Sequence, residues 1–188
     1  MFSRTKAYKG IAYALVSFIL ATALFLPMTR LRAQAYSDVN IKAAYIYKLG
    51  KFVTWAGQKH MPINFCYMES SRLAEEESVG RSFARFVKGK SAEWRVHEIR
   101  NAGALENCDI LFISESEESA LESVLSKAAD KDILTISDAK RFIYKDGMLG
   151  FILDDQNRVK MEANLKNIKK TGVMVGAVVL ELMQEVVR

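Results

Sequence analysis

The stretch Cys108-Asp109-Ile110-Leu111-Phe112-Ile113-Ser114 decides the fold. Asp109 to Ile113 reads as a short, mostly apolar strand without polar alternation. That pattern belongs to a strand buried on both faces, as in a parallel sheet covered by helices. Ser114 follows as a helix N-cap, and Glu117 stands three places on, which makes a capping-box pattern. The segment therefore reads strand, sharp turn, helix, the centre of a βαβ unit.

Working outward, Ile63 to Met68 and Asp132 to Ile136 are further strands of the same buried kind. Trp94, Val96 and Ile99 alternate on another strand that ends near Arg100. Between these lie a polar helix over Ser71 to Lys88, with Gly80 inside it, and a helix after Ser114. The latter carries Ala120, Leu121, Val124, Leu125 and Ala128 on one face. Ser137 or Asp138 caps a short helix holding Phe142. Asp146-Gly147 turns into Met148–Leu153, and Asp154-Asp155-Gln156-Asn157 forms a hairpin loop into Arg158–Ala163.

The chain's ends complete the architecture. Asp38 opens a first helix to about Trp55, with Ile41, Tyr45, Leu49, Phe52 and Ala56 on one stripe. Leu165, Ile168, Gly172, Val175, Val179, Met183 and Val186 line a long terminal helix to Val187. The expected fold is α/β: one three-layer domain, a mostly parallel sheet of about five or six strands flanked by helices, a C-terminal hairpin and the long last helix.

The formal charge of +5 over 188 residues suggests a basic protein, but its distribution removes that reading. Arg4, Lys6, Lys9, Arg30 and Arg32 precede residue 36 and no acid does. From Tyr36 onward 22 basic residues meet 22 acidic ones, so nucleic-acid binding has no electrostatic support. The first 35 residues have the form of a secretory signal: a cationic start, an apolar run from Ile11 to Leu26, Pro27, and Ala33-Gln34-Ala35 as the cleavage site. The alternative is an uncleaved membrane anchor, for which the run is slightly short. The mature chain is thus expected to be 36–188, exported to an oxidising compartment. There Cys66 and Cys108 make one disulfide, worth up to ~4 kcal/mol in the chain-entropy model; two buried thiols are the alternative. No C-x-x-C occurs, which argues against thiol oxidoreduction.

In an open α/β sheet, ligands favour the loops at the C-terminal strand ends. Here these are Glu69-Ser70-Ser71, Ser114-Glu115-Ser116-Glu117 and Ser137-Asp138. They are acidic and carry no glycine-rich phosphate cradle, which disfavours nucleotides. His60 and His97 belong to no zinc or nucleophile motif. No catalytic residue, metal ligand or cofactor is assigned, and a binding or regulatory domain is expected.

With these residues in view, the mature chain resembles the YfiR family of periplasmic regulators. The likeness runs through Ile41-Lys-Ala-Ala-Tyr-Ile-Tyr-Lys-Leu-Gly-Lys-Phe-Val-Thr-Trp55, the strand with Cys66, Cys108–Ser114, Ile133–Asp138, Gly147-Met148, the hairpin closing at Asn164 and the terminal segment. It implies a non-enzymatic domain that binds the periplasmic sensor domain of an inner-membrane diguanylate cyclase and represses cyclic-di-GMP synthesis. An OmpA-like outer-membrane partner, a homodimer and a stabilising disulfide, with Cys66 and Cys108 matching one family cysteine pair, are further implications. The second cysteine pair of some members is missing. A small-molecule-binding module is the other reading. A partner or dimer surface is expected as an exposed apolar patch around Tyr47, Phe151, Arg158 and Met183.

Overall fold

A computed structural model of the chain describes residues 38–56, 61–70 and 77–188. The signal-like segment, His60 and the first part of the polar helix lie outside the described residues. A seven-stranded sheet has the order β3-β2-β4-β5-β6-β7-β9, and a separate two-stranded ribbon pairs β1 (Val53–Trp55) with β8 (Val173–Val175). The large sheet's strands are β2 (Ile63–Met68), β3 (Trp94–Glu98), β4 (Ile110–Ile113), β5 (Leu134–Ser137), β6 (Leu149–Leu153), β7 (Val159–Asn164) and β9 (Glu185–Val187). Strands β3, β2, β4, β5 and β6 run parallel; β7 is antiparallel to β6, and β9 runs parallel to β7. The expected mostly parallel α/β sheet forms, with seven strands rather than five or six.

The unbroken apolar strands are explained by two cores, one on each face. Alternate side chains of a strand point to opposite sides. Phe65, Tyr67, Ile110, Phe112, Leu134, Ile136, Leu149 and Phe151 enter one core with α1 (38–49) and α2 (Val79–Phe86). Cys66, Met68, Leu111 and Ile113 enter the other with α3 (Leu121–Ala128) and Phe142. Every residue of β4 is buried. Outermost β3 exposes Arg95, His97 and Glu98, charges of the kind that discourage further strand addition.

Two helix expectations are corrected, one at its end and one throughout. The first helix stops at residue 49 rather than Trp55, and Val53–Trp55 is strand β1. Gly50 lies where a Cβ would meet the Trp94 ring at 2.2 Å, and the next residues, Val, Thr and Trp, are strand formers. The long terminal helix does not form. In its place stand one turn of α4 (Leu165–Ile168), strand β8 (Val173–Val175), one turn of α5 (Ala177–Leu180) and β9. The physical reason is again local. Thr171 Oγ1 donates to the Ile168 carbonyl at the end of α4, Asn167 Nδ2 donates to the Gly147 carbonyl, Gly172 donates its N–H to Asp132 Oδ1 at 2.7 Å, and the following run is rich in valine. The apolar spacing that imitates one helical face comes from several short elements.

Candidate functional site

Strand order reverses between β2 and β4, because the chain goes from β2 outward to β3 and returns to β4 on the other side. The crevice at the C-terminal ends of these two strands is where such a fold takes ligands. In this chain the crevice is small, about 160 Å³, and is lined by Val39, Glu69, Ser70, Ser78, Ser114 and Asp138 among others. That is below the roughly 300 Å³ of ordinary small-molecule sites.

Its donors are already used. Glu69 leaves β2 and turns its carboxylate onto the N-terminus of α2, accepting from Val79 N–H at 2.9 Å and Gly80 N–H at 3.0 Å. Ser78 caps the same helix through the Arg81 N–H. A carboxylate of the chain thus stands where the helix end would receive an anion. Burial pushes the Glu69 carboxyl above its ordinary value, against hydrogen bonds from Ser78, Gly80 and Val79 that pull it down. Gly80 is needed for this approach, since a Cβ there would meet the Tyr67 ring at 2.2 Å.

The loops after β4 and β5 are tied in the same way. Asp138 accepts from the Glu115 N–H at 2.7 Å and from Lys42 Nζ at 2.7 Å. Ser114 Oγ accepts from the Ser116 N–H, so Ser114 is a cap as expected. Glu117, however, does not close a capping box: its carboxylate accepts from Ser70 Oγ across the crevice. The element it opens is a 3-10 helix (Glu115–Ala120), which becomes α3 only at Leu121.

A larger cleft of about 730 Å³ lies beside α3, between Leu121, Leu125, Met148, Thr135 and Asn167. It arises because the connection from β5 to β6 carries only the 3-10 turn Phe142–Tyr144 and no long helix. Its charged rim is partly self-paired: Lys145 Nζ meets Glu118 at 2.5 Å, and Lys170 Nζ donates to Asn167 Oδ1 at 3.0 Å.

Cys66 in β2 and Cys108 at the entry to β4 are joined as a disulfide, with Cα atoms 5.7 Å apart. Among the described residues no group of three or more His, Cys, Asp or Glu side chains could hold a metal ion, and no helix is long and apolar enough to cross a membrane.

The four residues named for a partner surface have different fates. Tyr47 is half-buried, with its ring 5.0 Å from Phe86 and 5.9 Å from Trp94, and Lys51 Nζ 4.7 Å over it. Arg158 is exposed and pairs with Asp154 at 2.7 Å. Met183 is half-buried against the first core. Phe151 belongs to no exposed patch: it is 3% exposed and meets Tyr45. The alternation of β6 turns it inward with Leu149. The large apolar side chains at the surface include Phe52, Met174, Val178 and Leu182. Phe52 O accepts from the Gly176 N–H at 2.9 Å, and Val178 and Leu182 are four residues apart around the α5 turn. Phe52 precedes β1 and Met174 lies in β8, and Val178 and Leu182 follow the ribbon in the chain. The ribbon's antiparallel pairing was hidden because the sequence places both strands inside apparent helices.

Residues 39–184 match the family described as YfiR/HmsC-like. The chain belongs to the YfiR/HmsC-like family. That family is one of periplasmic regulators of diguanylate cyclase, regulatory rather than catalytic. No curated protein sequence matches this YfiR/HmsC-like chain. Among solved structures, a conserved domain protein from Vibrio cholerae O1 biovar El Tor is similar at a TM-score of 0.59 and 9% identity, over 77% of this chain and 60% of its own. An ABC domain from Streptococcus pneumoniae, solved in complex with L-Trp, is similar at 0.57 and 11% identity, over 80% of this chain and 60% of its own. At these identities the likeness is one of fold, and the chain spans 60% of the length of each.

Proposed function

We infer that this YfiR/HmsC-like domain is exported through residues 1–35, cleaved after Ala35, and acts in the periplasm by binding the periplasmic sensor domain of an inner-membrane diguanylate cyclase. Binding represses cyclic-di-GMP synthesis; release, through an OmpA-like outer-membrane protein, lifts the repression. The regulator acts as a homodimer and performs no chemistry of its own. One observation carries this reading: the family match over residues 39–184. The crevice filled by Glu69, Ser70 and Asp138 agrees with it, because a domain that works by contact has no need of an open ligand seat there.

The deciding measurement is intracellular cyclic-di-GMP in the wild-type strain, in a deletion of this chain, and in the deletion complemented with exported or cytoplasmic protein. A rise on deletion, reversed only by the exported form, is expected. An unchanged level, or rescue by the cytoplasmic form, overturns the reading. The cleft of about 730 Å³ beside α3 favours a small-molecule-binding module as the second reading. That reading predicts a ligand-dependent rise in melting temperature, from a stabilisation of roughly 2.7 kcal/mol at 100 times Kd, in the absence of any protein partner.

A further inference from the structure

Helices α1 and α2 both start at the acidic crevice, which Val39 and Val79 line, and both run away from it. Their far ends meet at Tyr47. Its ring lies 5.0 Å from that of Phe86, the last residue of α2, and 5.9 Å from that of Trp94. Trp94 in turn packs on Gly50, where a Cβ would meet its ring at 2.2 Å, so the two helix ends form one packed platform. Four lysines surround it. Lys48 and Lys51 come from the end of α1, and Lys51 Nζ lies 4.7 Å from the Tyr47 ring centre. Lys88 and Lys90 come from the turn after α2, where Gly89 takes a φ of 85°. Lys90 Nζ reaches the same ring, at 5.8 Å.

None of these four lysines forms an ion pair among the described residues. Arg85 is taken up by Glu77 at 2.6 Å, and Glu93, half-buried, is the one acid in the turn from Lys88 to Trp94. Phe86 is 48% exposed. Cations at two helix C-termini suit the helix dipoles, but the dipoles do not call for a phenyl ring in water beside them. The charge from Tyr36 onward balances to zero, so the basic tip stands against the acidic crevice with Glu69, Glu117 and Asp138 at the other end of the helices. We propose that this tip docks on an anionic phospholipid surface, with Phe86 entering the headgroup region and the lysines meeting the phosphates.

The residue types select a lipid surface over an acidic protein. Carboxylates at a protein interface are met best by arginine, whose planar fork binds them in pairs, and such interfaces are depleted in lysine. Here the unpaired cations are all lysine, point charges on flexible stems that answer to a density of negative charge rather than to a fixed geometry. Lys51 and Lys90 share one ring, well within the screening length of about 10 Å at 0.1 M salt, so they act on such a surface together. An exposed aromatic ring among basic residues is also the composition that settles at a headgroup boundary. The membrane is one that the exported domain of the preceding reading would meet. Vesicle binding needs neither the cyclase nor repression, however, so the two claims fail separately.

Co-sedimentation of the protein purified from the periplasm tests the tip, with vesicles of phosphatidylcholine alone or mixed with phosphatidylglycerol. Binding should require phosphatidylglycerol and weaken as salt is raised. Lys48→Gln with Lys51→Gln should lower the partition coefficient about 25-fold, or about fivefold per lysine. Lys88→Gln with Lys90→Gln, after the other helix, should do about the same, so either pair decides where the other fails to fold. Phe86→Ser should weaken binding and leave its salt dependence. Lys166→Gln with Lys169→Gln, which removes the same charge from exposed positions at α4, should bind as the wild type does. No binding, equal binding to both kinds of vesicle, or an equal loss in the α4 pair overturns the proposal. Capture by immobilised poly-glutamate without vesicle binding overturns it too, and assigns the tip to an acidic protein.

Discussion

Glu69 is the residue around which the switch-point crevice closes, and nothing in its sequence neighbourhood distinguishes it from a loop acid. Its role comes from tertiary placement: β2 ends beside the start of α2, so the carboxylate reaches two backbone donors ten and eleven residues away. Glu69→Ala leaves the Val79 and Gly80 N–H groups without that acceptor. It should lower stability by about 1.5–3 kcal/mol, the range for hydrogen bonds to a charged group, as a fall in the urea midpoint at constant m. Burial sets the direction of its pH dependence. The folded Glu69 carboxyl takes up its proton more readily than the unfolded one. The wild type should therefore gain stability relative to Glu69→Gln as pH falls through the raised value, with the gain complete below the ordinary value. A difference between the two proteins that stays constant across pH would contradict this. Phe151 carries the opposite lesson. It was legible as apolar, but not as inward, because the alternation of a five-residue hairpin strand has two phases until a partner strand is known.

At the scale of elements, the strands of the central sheet were legible because each is a short apolar block flanked by caps and turns. Asp154 is a clear case. Its carboxylate accepts from the Gln156 and Arg158 N–H groups, both at 2.9 Å, and from the Arg158 side chain; that last bond, first among the causes, holds it down to about 2. The acid pair is a turn feature, as its position after an apolar run implies. The ribbon was not legible. Val53–Trp55 and Val173–Val175 stand at helical spacing from their neighbours, and each becomes a strand only by finding the other, about 120 residues away. The flanking bonds Gly176 N–H to Phe52 O and Ala56 N–H to Gly172 O set the alternation, which places a bonded pair at Thr54 and Met174. Met174→Pro removes that donor. It should cost about 1–3 kcal/mol through an unsatisfied Thr54 carbonyl, whereas a helix in this region would be broken outright at about 3 kcal/mol or more. Hydrogen exchange decides between them: slow amides should alternate along 172–176 rather than run continuously.

For the molecule as a whole, the disulfide bears on stability and the exposed apolar residues near the ribbon on recognition. Cys66–Cys108 ties the two strands that border the switch point, across 42 residues of sequence. Cys108→Ser should lower stability by about 2–4 kcal/mol, with the loss visible as reduced periplasmic abundance; identical melting curves with and without reductant would remove this role. Phe151 is inside and drops out of the expected partner surface. The exposed large apolar residues Phe52, Met174, Val178 and Leu182 are the stronger candidates, because exposed apolar side chains gain when a partner covers them. Leu182, at 73% exposure, has least to do with the fold. Leu182→Asp should therefore change stability by no more than about 0.5 kcal/mol and yet abolish repression of cyclic-di-GMP in the complemented deletion strain. Arg158→Ala, which loses only an exposed ion pair with Asp154, serves as the contrast and should repress normally. If Leu182→Asp folds and represses as the wild type does, the recognition surface lies away from the ribbon. The half-exposed ring of Tyr47, with Phe86 beside it, then becomes the next face to substitute.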